Sequence, residues 1–279
     1  MVGQRTLDAP REHELLSKFL SSRRQGLSRK TLKFYSGYLS RASCVVGLTV
    51  TREDISRFLD SLQCSNGGKH SYFRALRAFY NWLYSAKSAY NINRQDNPIL
   101  GVDAPKVEKP ILASLTQEQI DTLISMAHSL RDRCIISLLA DSGMRLTELT
   151  SIEADDIDWG TCTVSIWGKG NKQRRAPFTK RTAGLLQHYL ADNHSSNGYI
   201  WGLNQYGIQK MLKRLGAKTG IKCNPHSFRR GFACNLHRKG LSTLDIMHLG
   251  GWADLSMVLR YTRSVTFDDC LEHYRDLEA

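Results

Sequence analysis

Apolar residues recur along the first hundred positions at intervals of three and four, the period of helices that bury one face. In "EHELLSKFLSSRR", Leu15, Leu16, Phe19 and Leu20 share a side. In "SRKTLKFYSGYLSRA" the apolar stripe is Leu32, Tyr35, Tyr38 and Leu39, and Arg29, Lys30, Lys33 and Arg41 supply the charge. "TREDISRFLDSL" opens with Thr51 and Asp54 at capping-box spacing, with Asp in place of the usual Glu. Asn66-Gly67-Gly68 predicts a break in the chain. "YFRALRAFYNWLYSA" then resumes the helical period through Phe73, Leu76, Tyr80 and Leu83, with Arg74 and Arg77 three apart.

The rhythm changes at "NINRQDNPILGVDAPKVEKPIL", which has no clear period and holds Pro98, Pro105 and Pro110, three of the six prolines. Proline favours extended linker geometry. The stretch is read as an interdomain linker over 98–115, between a helical domain at 1–97 and a second domain at 116–279. Thr116 and Gln119 stand at capping-box spacing, so a helix starts there. "DRCIISLLADSG" predicts a buried helix stopping at Gly143. In "IDWGTCTVSIWGKGNKQRRAPF" the period falls to two at Val164 and Ile166, with turn residues at Trp159-Gly160 and at 168–170, which predicts a short antiparallel sheet. Helices return from Lys180 onward. The expected fold is mainly α with one small antiparallel β-sheet, in two domains, the second a mixed α+β domain.

Charge narrows the class of partner. The chain of 279 residues carries a formal net charge of +13. Residues 1–105 hold 16 Lys and Arg against 8 Asp and Glu. A polyanion is the natural partner of such a surface. The seven cysteines are scattered and odd in number, which suits reduced thiols better than a disulfide framework. The opening "MVGQRTLDAPREHELL" lacks the apolar core of a secretory signal, and the apolar run "CIISLLA" is too short to span a bilayer. A cytoplasmic protein without membrane partners is expected.

Several chemistries are excluded by motif. There is no G-x-x-x-x-G-K-[ST] phosphate loop and no H-E-x-x-H. Cys223, His226, Cys234 and His237 are zinc-ligand types. A helix between them would put His226 and Cys234 about 12 Å apart, so no metal is expected there. In "PHSFRR", His226 and Arg229 share a helix face: one moves protons near neutral pH and the other presents a planar fork of donors to phosphate. A plain surface pair has the same spacing. "DSGMRLTELT" adds Arg145, with Glu148 three residues on to hold its guanidinium. "WGKGNKQRR" places Lys169 between two glycines at the tip of the predicted hairpin. Tyr261 closes the set. A phenol of ordinary pKa, about 10, is a poor nucleophile at neutral pH and needs nearby cations or a base. Two arginines, a histidine and a lysine meet that need, and they would also neutralise a pentacoordinate phosphorus transition state without a metal or other cofactor.

With "SGMRLTELT", "WGKGNKQRRAPF", "PHSFRRGFA" and "LGGWADLSMVLRYT" in that order, the chain resembles the tyrosine recombinases, the phage-integrase family with its Xer-like and Cre-like branches. The resemblance runs over nearly the whole length. It implies a helical N-terminal domain that clamps DNA, a linker and a catalytic domain. It also implies site-specific DNA recombination through a 3′-phosphotyrosyl intermediate and a Holliday junction, in a tetrameric synapse of two duplexes. By the same resemblance Arg145 and Arg229 grip the scissile phosphate, Tyr261 is the nucleophile, and His226 takes or relays its proton. Lys169, or else Lys172, is the general acid, and Glu148 supports the arginine and lysine. Many members, the Xer branch among them, carry His where this chain has Trp252, whereas Cre-like members carry Trp. An indole donates a hydrogen bond but transfers no proton, so Trp252 is expected to be a donor to the phosphate and a packing wall for Tyr261.

DNA contacts are expected from Arg29, Lys30, Arg41, Arg74 and Arg77 in the first domain, and from Lys172, Arg174 and Arg175 near the site. The tail from Thr262 contains an amphipathic helix that docks either on a neighbouring protomer or on its own domain. A type IB topoisomerase-like relaxing enzyme and a catalytically inactive DNA-binding relative are the alternatives.

Overall fold

The computed structural model describes residues 12–85, 90, 92–108, 114–168, 172–193 and 198–276. The chain divides into two compact units, Met1–Lys109 and Pro110–Ala279.

Among the described residues the first unit has four α-helices: α1 (Glu12–Arg23), α2 (Arg29–Arg41), α3 (Arg52–Ser61) and α4 (Asn66–Leu83). Side chains fix where three of them begin. Ser28 accepts from the backbone N–H of Thr31 at the head of α2. Thr51 and Asp54 form the reciprocal capping box of α3. Asn66-Gly67-Gly68, expected to break the chain, instead forms the first turn of α4. Ser65 caps it by accepting from the Gly68 N–H, and a Cβ on Gly68 would sit 2.9 Å from the Cys64 sulfur. The Ser65 cap offsets part of the backbone-entropy cost of the two glycines.

The core of this unit is aromatic. Phe19 lies 5.7 Å from Phe79 and 5.5 Å from Trp82 between ring centroids, and Phe79 is 5.1 Å from Tyr80. Tyr80 is fully buried, and its hydroxyl donates to the Val45 carbonyl at 2.8 Å. Burial raises its pKa far above the ordinary phenol range. The start of the expected linker belongs to this core. Pro98–Gly101 is a 3-10 turn capped by Asn97, and Ile99 and Val102 are buried among the helices. Proline here nucleates a packed turn rather than an extended strap. Of the rest of that stretch, residues 109–113 lie outside the described residues, and Leu115 is already in the core of the second unit.

The second unit begins with α5 (Gln117–Met126), α6 (Leu130–Ser142) and α7 (Leu146–Thr150), followed by β1 (Ile157–Asp158), β2 (Thr163–Gly168) and β3 (Lys172–Pro177). It continues with α8 (Lys180–Asp192), α9 (Gln205–Thr219), α10 (Pro225–Arg238), α11 (Thr243–Gly250), α12 (Leu255–Tyr261) and α13 (Phe267–Asp276). The Thr116–Gln119 capping box opens α5, and α6 is the buried helix around which the main core forms. The sheet is antiparallel in the order β1-β2-β3. Val164 pairs with Ala176 and Ile166 with Arg174. Directly opposed residues lie on one face of a sheet, so Arg174 is on the buried face and its neighbour Arg175 on the other. A smaller core of Phe232, Ala233, Ile246, Trp252 and Val258 lies under α10, α11 and α12. The tail helix α13 rests on its own unit, where Arg238 on α10 pairs with Asp269 at 2.9 Å. Among the described residues no helix is long and apolar enough to cross a membrane.

Candidate active site

The site starts where α6 stops. Gly143 takes a left-handed conformation, φ 55°, and a Cβ there would lie 2.6 Å from the Phe232 ring. Both facts demand glycine. The chain reverses through Met144 and presents Arg145 at the N-cap of α7. Glu148 holds this arginine twice: Oε2 accepts from the Arg145 backbone N–H at 2.7 Å, and Oε1 from its guanidinium at 2.8 Å. The carboxylate itself is buried, while Arg145 remains exposed. Arg174 donates to the same carboxylate at 2.9 Å. Burial pushes the Glu148 pKa up, but the Arg145 N–H and the Arg174 guanidinium outweigh it, and the group is held below the ordinary carboxylate range.

Arg229 comes from α10, whose start is fixed by Pro225 and a reciprocal Asn224–Ser227 cap. It is buried, and it donates to the carbonyls of Gly143 and, at 3.0 Å, of Gly250. Its guanidinium carbon lies 4.2 Å from the centre of the Trp252 ring. Burial, then the charges of Arg145 and Arg174, pull its pKa down to about 10, which leaves it cationic at neutral pH. Trp252 follows left-handed Gly251 and is buried. Its ring is 5.6 Å from that of Tyr261, inclined at 58°. The indole occupies the space a Cβ on Gly250 would need, at 2.0 Å. Its Nε1 is buried and finds no hydrogen-bond partner among the described residues. Tyr261 is the last residue of α12 and is half-buried. Its carbonyl accepts from the Cys234 thiol at 3.2 Å.

Arg145, Glu148, Arg229, Trp252 and Tyr261 are thus drawn to one locality. His226 stands exposed on the first turn of α10, three residues before Arg229. Lys169 lies outside the described residues, and Lys172 opens β3 opposite Gly168. Arg175 is exposed, as are Arg29, Lys30, Arg41, Arg74 and Arg77 in the first unit. Arg74 sits 5.4 Å over the Phe34 ring. Arg174 departs from its expected place at the DNA surface. The hairpin register turns it inward, onto Glu148 and the carbonyl of Leu249 at 3.3 Å. The alternation Val164, Ile166 against Arg174, Ala176 carries that signal in the hairpin register. A second feature passed over in the sequence is a basic face on α9, where Lys210, Lys213, Arg214 and Lys218 are all exposed. Their three-and-four spacing was readable. The candidate zinc ligands do not converge: among the described residues no three His, Cys, Asp or Glu side chains group as a metal site.

Residues 113–266 match the profile of the phage integrase family. The chain belongs to that family. Its members are tyrosine recombinases, enzymes that cleave and rejoin DNA strands. Tyrosine recombinase XerA of Pyrococcus horikoshii is 27% identical over 252 residues, covering 87% of this chain and 86% of that protein. Tyrosine recombinase XerD of Listeria monocytogenes is 27% identical over 270 residues, with 85% and 89% covered. Among solved structures, a lambda integrase dimer bound to a COC′ core site superposes with a TM-score of 0.75 at 17% identity, covering 94% of this chain and 80% of the other. The fold is therefore that of this family's known structures.

Proposed function

We propose that this family member carries out site-specific recombination with Tyr261 as its nucleophile and with Arg145 and Arg229 as the cations on the scissile phosphate. The observation that carries the reading is the packed row of Arg229, Trp252 and Tyr261 at the same locality as the Arg145–Glu148 pair. A tyrosine inside a plain core would not share its tryptophan with a buried guanidinium.

In the proposed reaction the Tyr261 oxygen bonds to phosphorus, and the bond from phosphorus to the 5′ oxygen breaks. His226 receives or relays the phenolic proton. Lys169 or Lys172 protonates the departing 5′ oxygen. The product is a 3′-phosphotyrosyl link and a free 5′ hydroxyl, and rejoining is the reverse with another strand's 5′ hydroxyl. One phosphoester replaces another, so no ATP is consumed. Positive charge fixed in place before the reaction stabilises the extra negative charge of the transition state. Trp252 is the wall that sets the ring of Tyr261. Its Nε1 becomes a phosphate donor when DNA binding opens the packed cluster, and Arg229 then shares its remaining N–H groups with the phosphate.

The exposed arginines and lysines of α2 and α4, with the basic face of α9, supply sequence-independent grip on the DNA backbone, which weakens steeply with salt. The partner is double-stranded DNA carrying a recombination site. The working assembly is a tetramer on two duplexes, acting in the cytoplasm.

The test uses a pool of nicked duplexes of randomised sequence. Duplexes captured covalently by the wild-type chain are recovered and sequenced, and one becomes the standard suicide substrate. Tyr261→Phe is expected to form no adduct; adduct of wild-type yield in that variant would overturn the assignment. A 5′-bridging sulfur, whose thiolate leaves without an acid, should rescue Lys169→Ala. Rescue of Lys172→Ala instead would move the acid to Lys172.

A further inference from the structure

Arg174 is a cation whose neighbours give it work inside the protein. Its side chain is 15% exposed. One terminal nitrogen meets the Glu148 carboxylate at 2.9 Å, and the other meets the Leu249 carbonyl at 3.3 Å. Its aliphatic stem fills the place where a Cβ on Gly251 would stand, 2.3 Å from the Arg174 Cδ. Each contact leads to a different part of the site. Glu148 orients Arg145. Leu249 precedes Gly250, whose carbonyl holds Arg229, and Gly251 is the left-handed turn that delivers Trp252. The strand that carries Arg174 begins at Lys172, one of the two candidate acids.

We infer that Arg174 is a positioning residue for strand cleavage: one guanidinium ties the hairpin, the Arg145–Glu148 pair and the Gly250–Trp252 turn into a single geometry. This rests on the reading that Tyr261 attacks the phosphate. A planar fork with donors at both ends can bridge a carboxylate and a carbonyl that far apart, and a lysine ammonium, a point donor, cannot span them. The role differs from the DNA contact expected of an arginine at this hairpin. A phosphate contact acts on affinity and on the salt dependence of binding. A positioning contact acts on the rate of the bound complex, where a misplacement of 1 Å costs on the order of 100-fold.

The experiment measures single-turnover adduct formation and binding at several salt concentrations, with the suicide duplex recovered by the wild-type chain. Arg174→Ala and Arg174→Lys are each expected to slow cleavage of bound DNA by roughly 100-fold, with the dissociation constant and its salt slope unchanged. Arg174→Lys keeps the charge, so it separates bridging from charge and remains informative if Arg174→Ala fails to fold. Combining Arg174→Ala with Glu148→Gln should cost no more than the worse single change, because both act through one carboxylate. The inference is overturned if Arg174→Lys cleaves at the wild-type rate, if the two changes are additive, or if the variants lose affinity and salt slope while bound DNA is cut normally. Should the wild-type chain give no Tyr261-dependent adduct, the nucleophile assignment itself falls, and this inference with it. Wild-type adduct with unimpaired Arg174 variants sinks the positioning role alone.

Discussion

Tyr80 and Tyr261 both lie toward the C-terminal end of a helix, and both touch a tryptophan-containing aromatic cluster. In the first unit Phe79 meets Phe19 and Tyr80 edge to face, with Trp82 tilted against both phenylalanines, and the one hydroxyl among them is satisfied by the Val45 carbonyl. In the second unit the buried cation of Arg229 lies over the Trp252 ring, which in turn touches Tyr261, and an indole N–H is left without a partner among the described residues. A buried polar group without a partner costs about 1–3 kcal/mol. The first cluster has every sign of a region optimised for stability. The second gives up stability at the place where a ligand would make up the difference. Composition does not separate the two, but hydrogen-bond satisfaction does.

Four substitutions press on this contrast. Tyr261→Phe should extinguish adduct formation while changing stability by no more than about 0.5 kcal/mol, as for a substitution outside a closed core; urea unfolding alongside the cleavage assay checks both. Phe79→Ala should do the reverse, destabilising by about 3–5 kcal/mol through the cavity it opens. In protein that remains folded at low temperature, its rate on bound DNA should match wild type. Tyr80→Phe strips one hydroxyl from a closed core and leaves a carbonyl unpaired, for a loss of about 1–3 kcal/mol. If Tyr80→Phe proved neutral in urea, the claim that the first cluster depends on its polar satisfaction would fail.

The smallest effect is on pH dependence. The Glu148 pKa is depressed in the folded chain. Its contribution is therefore present above the unfolded-state value, about 4.3 for a glutamate, and is lost as pH falls through the folded value. Unfolding midpoints measured from neutral pH downward should fall less steeply in Glu148→Gln than in wild type over that acid range.

Much of this was legible beforehand, and the limits were physical. Capping boxes at Thr51 and Thr116, the stop at Gly143 and the hairpin strands depend on neighbours within a few residues, so local pattern sufficed. Asn66-Gly67-Gly68 reads as a break because glycine disfavours helices, and the Ser65 cap that overrides this is not visible from the glycines themselves. Pro98 to Val102 reads as linker because proline marks packed turns as readily as extended segments, and the buried Ile99 and Val102 decide for the packed turn. At the site, the motifs single out Arg145, Glu148, Arg229, Trp252 and Tyr261 as candidates, and these five lie in one locality. They did not disclose that Arg229 is covered, or that Arg174 faces inward, since both depend on contacts spanning from 21 to 86 positions along the chain.

The fit between Gly250 and the indole of Trp252 bears on how such sequences change over time. With 2.0 Å between the ring and the place of a missing Cβ, neither position is free to vary alone: a larger residue at 250 expels the tryptophan, and a smaller ring at 252 leaves a hollow over the glycine. A lineage moving between tryptophan and histidine at this site would have to cross a two-residue valley. In a library randomised at both positions, survivors that keep Trp252 should nearly all keep Gly250, while those that replace it should tolerate alanine or serine there.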